Sequence, residues 1–235
     1  MYLSTFVVTT FLATVFLTLY LGYRAINKDQ ISARNLFLVE SAVVVWLLFH
    51  HFLARADFYK VFNVLPPRIL LVFFPLILLM VFLLTIRRDQ TVRLFSLQGM
   101  MWLHIVRIPV ELVLWRLALE GFIPEVMSFE GRNFDILAGI TAPLIVYLVF
   151  YKKTLGKTGL LVWNVICLGL LINIISLAIM SAPGPLQQMA FQQPNIGIAF
   201  TPMILLPAFV APLVLFFHLV SIVKLLTGKA DHELR

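Results

Sequence analysis

A chain of 235 residues that is 61% hydrophobic and 12% charged, with a mean hydropathy of +0.99, lies far from the composition of soluble domains. It reads as an integral membrane protein with no soluble catalytic domain left over. A single cysteine, Cys167, excludes an intramolecular disulfide and any multi-cysteine metal site. The formal charge of +7 is scattered among loops, so no nucleic-acid partner is expected.

Crossing a hydrocarbon core takes about 20 apolar residues, and seven stretches qualify: 3–23, 35–53, 69–86, 97–119, 135–151, 160–180 and 202–226. Residues 1–235 therefore read as one all-α transmembrane domain, a seven-helix bundle. The first stretch, LSTFVVTTFLATVFLTLYLGY, has neither a basic leader nor a small-residue cleavage site and is read as a retained helix. It and the third, ILLVFFPLILLMVFLLTI, are almost wholly apolar and are expected to face lipid over much of their surface.

The basic loop residues set the topology. Arg24, Lys28 and Arg34, then Arg87, Arg88 and Arg93, then Lys152, Lys153 and Lys157, and finally Lys224, Lys229 and Arg235 fall on one side of a seven-helix path. The other side carries Arg55, Lys60, Arg68 and Arg132. By the positive-inside rule the amino terminus is outside and the carboxyl terminus cytoplasmic, and the excess basicity adds only a weak attraction for anionic lipid.

The second helix contributes Glu40 near its cytoplasmic end and His50 and His51 near its outer end. Glu40 and His51 share a face about 16 Å apart along the axis, which suits the two ends of a polar path better than a contact. His50 fits the outer interface beside Trp46 and Phe52, where amphipathic rings gather.

The fourth helix holds WLHIVRIPVELVLW, residues 102–115. His104, Arg107 and Glu111 are spaced i, i+3, i+7 and lie on one stripe. Each charge costs about 2.5–3.5 kcal/mol at the bilayer centre, so the stripe must face inward and be paired or hydrated. Arg107 and Glu111 stand at the i, i+4 spacing of an ion pair along a helix. Pro109 removes its own amide and crowds the carbonyl of Ile105, which kinks the helix within the same site. Arg116 lies near the opposite face and reads as snorkelling. Two readings follow: a structural Arg107–Glu111 pair that locks the bundle, or a site for a proton, an anion or a small molecule.

Ahead of the fifth helix, Glu130, Arg132 and Asp135 form an acid, base, acid cluster at the outer mouth, a candidate vestibule. Asn133 or Asp135 is also suited to cap that helix, and Gly131 to a tight turn. The sixth helix places Asn173 and Ser176 on one face with Gly169, a pattern for close interhelical packing. The uncharged loop 181–201, with Pro183, Pro185 and Pro194, suits a short interfacial helix over Leu186, Met189 and Ala190, or a lid. In the seventh helix His218 lies at a depth matched to His104, the minimum for bis-histidine haem or for two ligands of a metal.

The stretches FEGRNFDILAGITAPLIVY and LLVWNVICLGLLINI, followed by SAPGPLQ, resemble segments of small bacterial seven-helix membrane proteins of uncharacterised function. The likeness runs from the fourth to the seventh helix, about half of the chain, and implies the fold and a bacterial inner membrane without assigning a role to any residue.

The leading expectation is transport, conduction or binding of a small species, a proton-coupled solute or an anion, through an interior site of His104, Arg107 and Glu111. Glu40, His51 and His218 stand behind them, and His104 serves as a titratable relay because its unperturbed pKa is near physiological pH. One alternative is a haem- or metal-binding redox or sensor protein using His104 and His218. Another is a non-catalytic subunit of a larger membrane complex, or an oligomer, with the apolar first and third helices as docking faces. No H-E-x-x-H, G-x-S-x-G, P-loop or G-x-G-x-x-G occurs, so an enzyme is not the expectation.

Overall fold

The computed structural model describes residues 2–234, so Arg235 lies outside the described residues, as does Met1. Each of the seven apolar stretches is helical. We label the helices α1 (Thr5–Ala25), α2 (Ala33–Arg55), α3 (Arg68–Thr85), α4 (Arg88–Leu94), α5 (residues 97–119), α6 (Ile136–Tyr151), α7 (Lys157–Ser181) and α8 (Leu206–Leu226). Among the described residues there is no strand, only an isolated bridge between Ile26 and Phe95. Five of these helices, α1, α2, α3, α7 and α8, are long and apolar enough to cross a membrane; α6 is apolar but shorter.

Helix α5 is the axis of the bundle and packs against α1, α6 and α8, while α7 lies against α8. Helix α1 faces outward over much of its surface, as its apolar sequence suggests, with Phe6, Phe16 and Tyr20 exposed, and it also has a packed side. Val7, Phe11, Thr14, Val15 and Thr18 form a buried face against α5, and the hydroxyls of Thr14 and Thr18 bond back to the carbonyls of Thr10 and Thr14 at 2.8 and 2.7 Å. Gly99 permits the approach, since a Cβ there would sit 2.6 Å from the Ala25 Cα. The peripheral helices are α2 and α3, which bury few side chains.

The prolines act as local breaks in the hydrogen-bond ladder. In α5 the backbone tightens into a 3-10 turn at His104–Val106, beside the Ile105 carbonyl that Pro109 leaves without its amide. In α8 a π turn spans Leu206–Val210, and Pro212 has no amide to offer the Ala208 carbonyl four residues back. The Trp46 indole of α2 donates to that carbonyl at 2.8 Å, so one side chain closes the gap and fastens α2 to α8. Trp46→Phe keeps the ring and removes the donor. It is expected to cost about 1 kcal/mol in unfolding in detergent and to loosen α2, seen as faster proteolysis near its ends.

The basic loops gather at one end of the bundle. The Asn27 amide donates to Leu94 O at 2.7 Å and the Ser96 amide to Ala25 O at 2.8 Å. Lys229 pairs with Asp89, and a terminal turn, Asp231–Leu234, returns to this end. There Glu233 accepts from the Leu97 amide at 2.6 Å and pairs with Lys224. At the opposite end Glu120 accepts from Arg116 at 2.6 Å and from the Ser4 amide at 3.3 Å, so Arg116 has an ion-pair partner on its own helix. Burial alone would push the Glu120 carboxyl up, but the Ser4 and Arg116 bonds outweigh it and hold it below the usual range.

The segment after α7 does not form the helix expected over Leu186, Met189 and Ala190. Its prolines remove amides, Gly184 takes a φ of +121° and Ala190 a φ of +56°, which breaks any helical run. Instead it is strapped down. The Gln193 amide donates to Ala118 O at 3.0 Å and to Ile123 O, and the Ile196 and Gly197 amides donate to Phe122 O at 3.0 and 2.8 Å.

Candidate functional site

Gly139 brings α6 against α5 at Arg107 and Ile108, and Asp135 lies four residues earlier, just ahead of α6. This register decides the partner of Arg107. Its Nε donates to Asp135 Oδ2 at 2.6 Å and its Nη2 to Oδ1, a bidentate pair. Nη2 also donates to the Cys167 carbonyl of α7 at 3.0 Å, and Nη1 meets His218 Nε2 of α8 at 3.1 Å. One guanidinium, 2% exposed, thus joins α5, α7, α8 and the start of α6.

The network fixes a tautomer. Arginine only donates, so His218 Nε2 is the acceptor and its Nδ1 carries the proton, which goes to Asn164 Oδ1 at 3.0 Å. The Asn164 amide then donates to Leu160 O at 3.0 Å. His218 is therefore neutral and both of its ring nitrogens are engaged.

Glu111 is not the partner of Arg107, despite the i, i+4 spacing. Its Oε2 accepts from Asn133 Nδ2 at 2.6 Å. Asn133 also donates to Met127 O at 3.0 Å, and its Oδ1 accepts the Asp135 amide at 3.1 Å, so one side chain holds both carboxylates in place. Asn133 and Asp135 turn inward rather than capping α6, and the Asp135 side chain makes no cap bond. The vestibule cluster is divided accordingly: Asp135 is buried, whereas Glu130 and Arg132 are exposed.

His104 and His218, matched in depth by sequence, do meet. Their rings stack with centroids 3.9 Å apart and planes 23° apart, and Trp163 lies against the edge of the pair, 5.5 Å from His104 and 6.0 Å from His218. Face-to-face imidazoles at this separation leave no room for an iron porphyrin between them. Neither ring nitrogen of His104 has a hydrogen-bond partner. Among the described residues no group of three or more His, Cys, Asp or Glu side chains is arranged to hold a metal ion.

The second-helix candidates lie apart from this cluster. Glu40 is exposed on α2. His51 Nδ1 is paired with Thr201 Oγ1 at 2.7 Å. His50 is buried in protein rather than placed in the interface, with its ring 4.1 Å from that of Trp46 and a hydrogen bond to Tyr59. In α7 the Asn173 amide donates to Arg132 O at 2.9 Å and Ser176 bonds back to Ile172 O at 2.8 Å, while Gly169 faces open space. The close helix contacts fall at Gly99 and Gly139 instead.

A cavity of about 110 Å³ opens beside the charged cluster, between α3, α5, α7 and α8. Its walls are apolar, with Leu70 and Phe73 of α3, Val110 of α5, Ile174 of α7, and Val210 and Val214 of α8 among them. Its polar lining is Arg107, Glu111, Asp135 and Asn195. Asn195 comes from the strapped segment, and its amide donates to Ala178 O at 3.1 Å. Two acceptors here lack donors: the buried Asn195 Oδ1 and the second oxygen of Glu111, which takes no hydrogen bond among the described residues. Spacing alone places Glu111 inside the bundle, whereas Asn195 could not be foreseen, since it lies in a loop with no helical register to the rest.

The model of a domain of unknown function, DUF8737, matches residues 64–226, and the chain belongs to that family. The match covers α3 to α8, which supply both the charged cluster and the cavity. Comparison with curated proteins and with solved structures gives no match.

Proposed function

We propose that the chain is a seven-span membrane protein of a bacterial inner membrane that binds a small, lipid-soluble molecule in the cavity beside Arg107 and Glu111 and passes it between the two faces. Helices α5 and α6 complete the seven spans, each sheltered from lipid on its charged side by its neighbours. The amino terminus is outside, because the end of the bundle where the basic loops meet is the cytoplasmic one.

The observation that carries this reading is the cavity itself: apolar walls ending on a few convergent polar groups are the form of a small-molecule site. Two other forms of the interior-site idea fit less well. An anion needs a free positive charge, and Arg107 gives its own to Asp135. A conducting path needs polar groups continued toward both ends, and Glu40 and His51 stand outside the interior.

Thermal unfolding in detergent against a panel of small lipophilic compounds, charged and neutral, tests it. At least one compound is expected to raise the midpoint by about 5 °C at roughly 100 times its Kd. Ala211→Trp, which fills the cavity from α8, should remain folded and lose that rise. A panel that stabilises neither chain, or both alike, refutes the cavity as the site.

A further inference from the structure

The charges around the cavity do not balance. Arg107 and Asp135 cancel as a bidentate pair, and ionised Glu111 leaves the set one negative charge in excess. Its surroundings offer no other compensation. Asn133 is neutral, His218 is held neutral by the Arg107 bond, and His104 stacks on His218. The walls from α3, α7, α8 and the 182–205 segment bring no titratable side chain to the cavity among the described residues. An uncompensated carboxylate in such a place is costly. It is relieved either by a proton on Glu111 or by a positive charge inside the cavity. Glu111 and Asn195, each with an acceptor that lacks a donor, both line the cavity; the Glu111 carboxylate is the group that stabilises that charge, and the apolar walls suit a hydrocarbon body beside it.

We propose that the cavity takes a small lipophilic monocation in exchange for a proton on Glu111. This rests on the reading of the cavity as a binding site and adds the charge class of its ligand. The exchange balances: protonated Glu111 and the free cation give the Glu111 carboxylate paired with the bound cation, and one proton goes to water. Cation and proton compete for the same oxygen, so binding tightens as pH rises while the empty site still holds its proton. Loading from the proton-poor side and release by a proton from the proton-rich side follow from the same competition.

The probe pair is benzyltrimethylammonium, which carries a permanent charge and no exchangeable proton, and neopentylbenzene, its neutral isostere. Titration calorimetry of the full chain in detergent, at several pH values and in two buffers of different ionisation enthalpy, reads both affinity and protons released. The native protein is expected to bind the cation more tightly than the isostere and to release about one proton per cation. Its Kd should fall about tenfold per pH unit in the range where Glu111 is protonated. Glu111→Gln should weaken the cation by about tenfold or more and leave the isostere within about twofold. Isostere binding also certifies that the variant is folded. Equal binding of the two probes by the native chain overturns the cation proposal and leaves the cavity reading intact. Cation binding with no proton release overturns the exchange. Failure to bind either probe overturns both the proposal and the reading beneath it.

Discussion

Asp135→Leu is expected to destabilise the protein by about 3–5 kcal/mol, because it leaves a guanidinium buried with no counter-ion. Arg107 is 2% exposed, and its remaining partners, the Cys167 carbonyl and a neutral His218, are dipoles without charge. Arg107→Leu combined with Asp135→Leu removes both charges together and is expected to recover most of the loss, since apolar replacement of a whole buried pair is often close to neutral. Glu111 adds a second layer. It lies one turn from Arg107, at the spacing where an ion pair closes along a helix, and in the Asp135→Leu protein it is the nearest carboxylate left to take over. The loss should therefore be larger in a Glu111→Gln background than in the native one, a coupling that a double-mutant cycle in mixed-micelle unfolding would read. If Asp135→Leu costs nothing while Arg107→Leu is severe, Arg107 is balanced by something other than the bidentate pair.

Which of these features the sequence carries depends on the kind of signal. Helix positions are legible because long apolar runs mark them, and α5 and α7 begin and end within three residues of their expected bounds. The meeting of His104 and His218 is legible because their positions can be counted from the middle of each apolar stretch. The buried side of α1 is not, because lipid and protein interior are equally apolar and a wholly apolar helix does not mark which face turns inward. The faint signs were Thr14 and Thr18 on α1 and Gly99 on α5. The partner of Arg107 is hidden for a related reason. Glu111 and Asp135 are chemically alike, spacing favours Glu111, and only the α5–α6 contact at Gly139 brings Asp135 nearer. Asp135 also precedes its helix, which suggested an outer loop rather than a buried position.

Gly139→Val tests that contact directly and should cost about 3 kcal/mol, the upper part of the range for overpacking a tight contact. A Cβ at this position would lie 2.8 Å from Ile108 Cγ1, 3.0 Å from the Ile108 amide nitrogen and 3.3 Å from Arg107 Cβ. The Ile108 side chain can move, but the backbone nitrogen cannot yield without the axis of α5, so α6 must retreat. Asp135 lies one turn before Gly139 and retreats with it, which opens the bidentate bond to Arg107. For this reason the losses from Gly139→Val and Asp135→Leu should not add: once the carboxylate is gone, moving α6 away breaks less. The contrast is Gly169→Val. The sequence offers Gly169 as the close-packing glycine, through its shared face with Asn173 and Ser176, yet a Cβ there meets nothing within 4 Å. Its replacement should be nearly neutral in unfolding, with a small gain where a glycine leaves a helix. The opposite order, a severe Gly169→Val and a silent Gly139→Val, would mean that α7 rather than α6 makes the tight approach, and the Arg107–Asp135 geometry would fall with it.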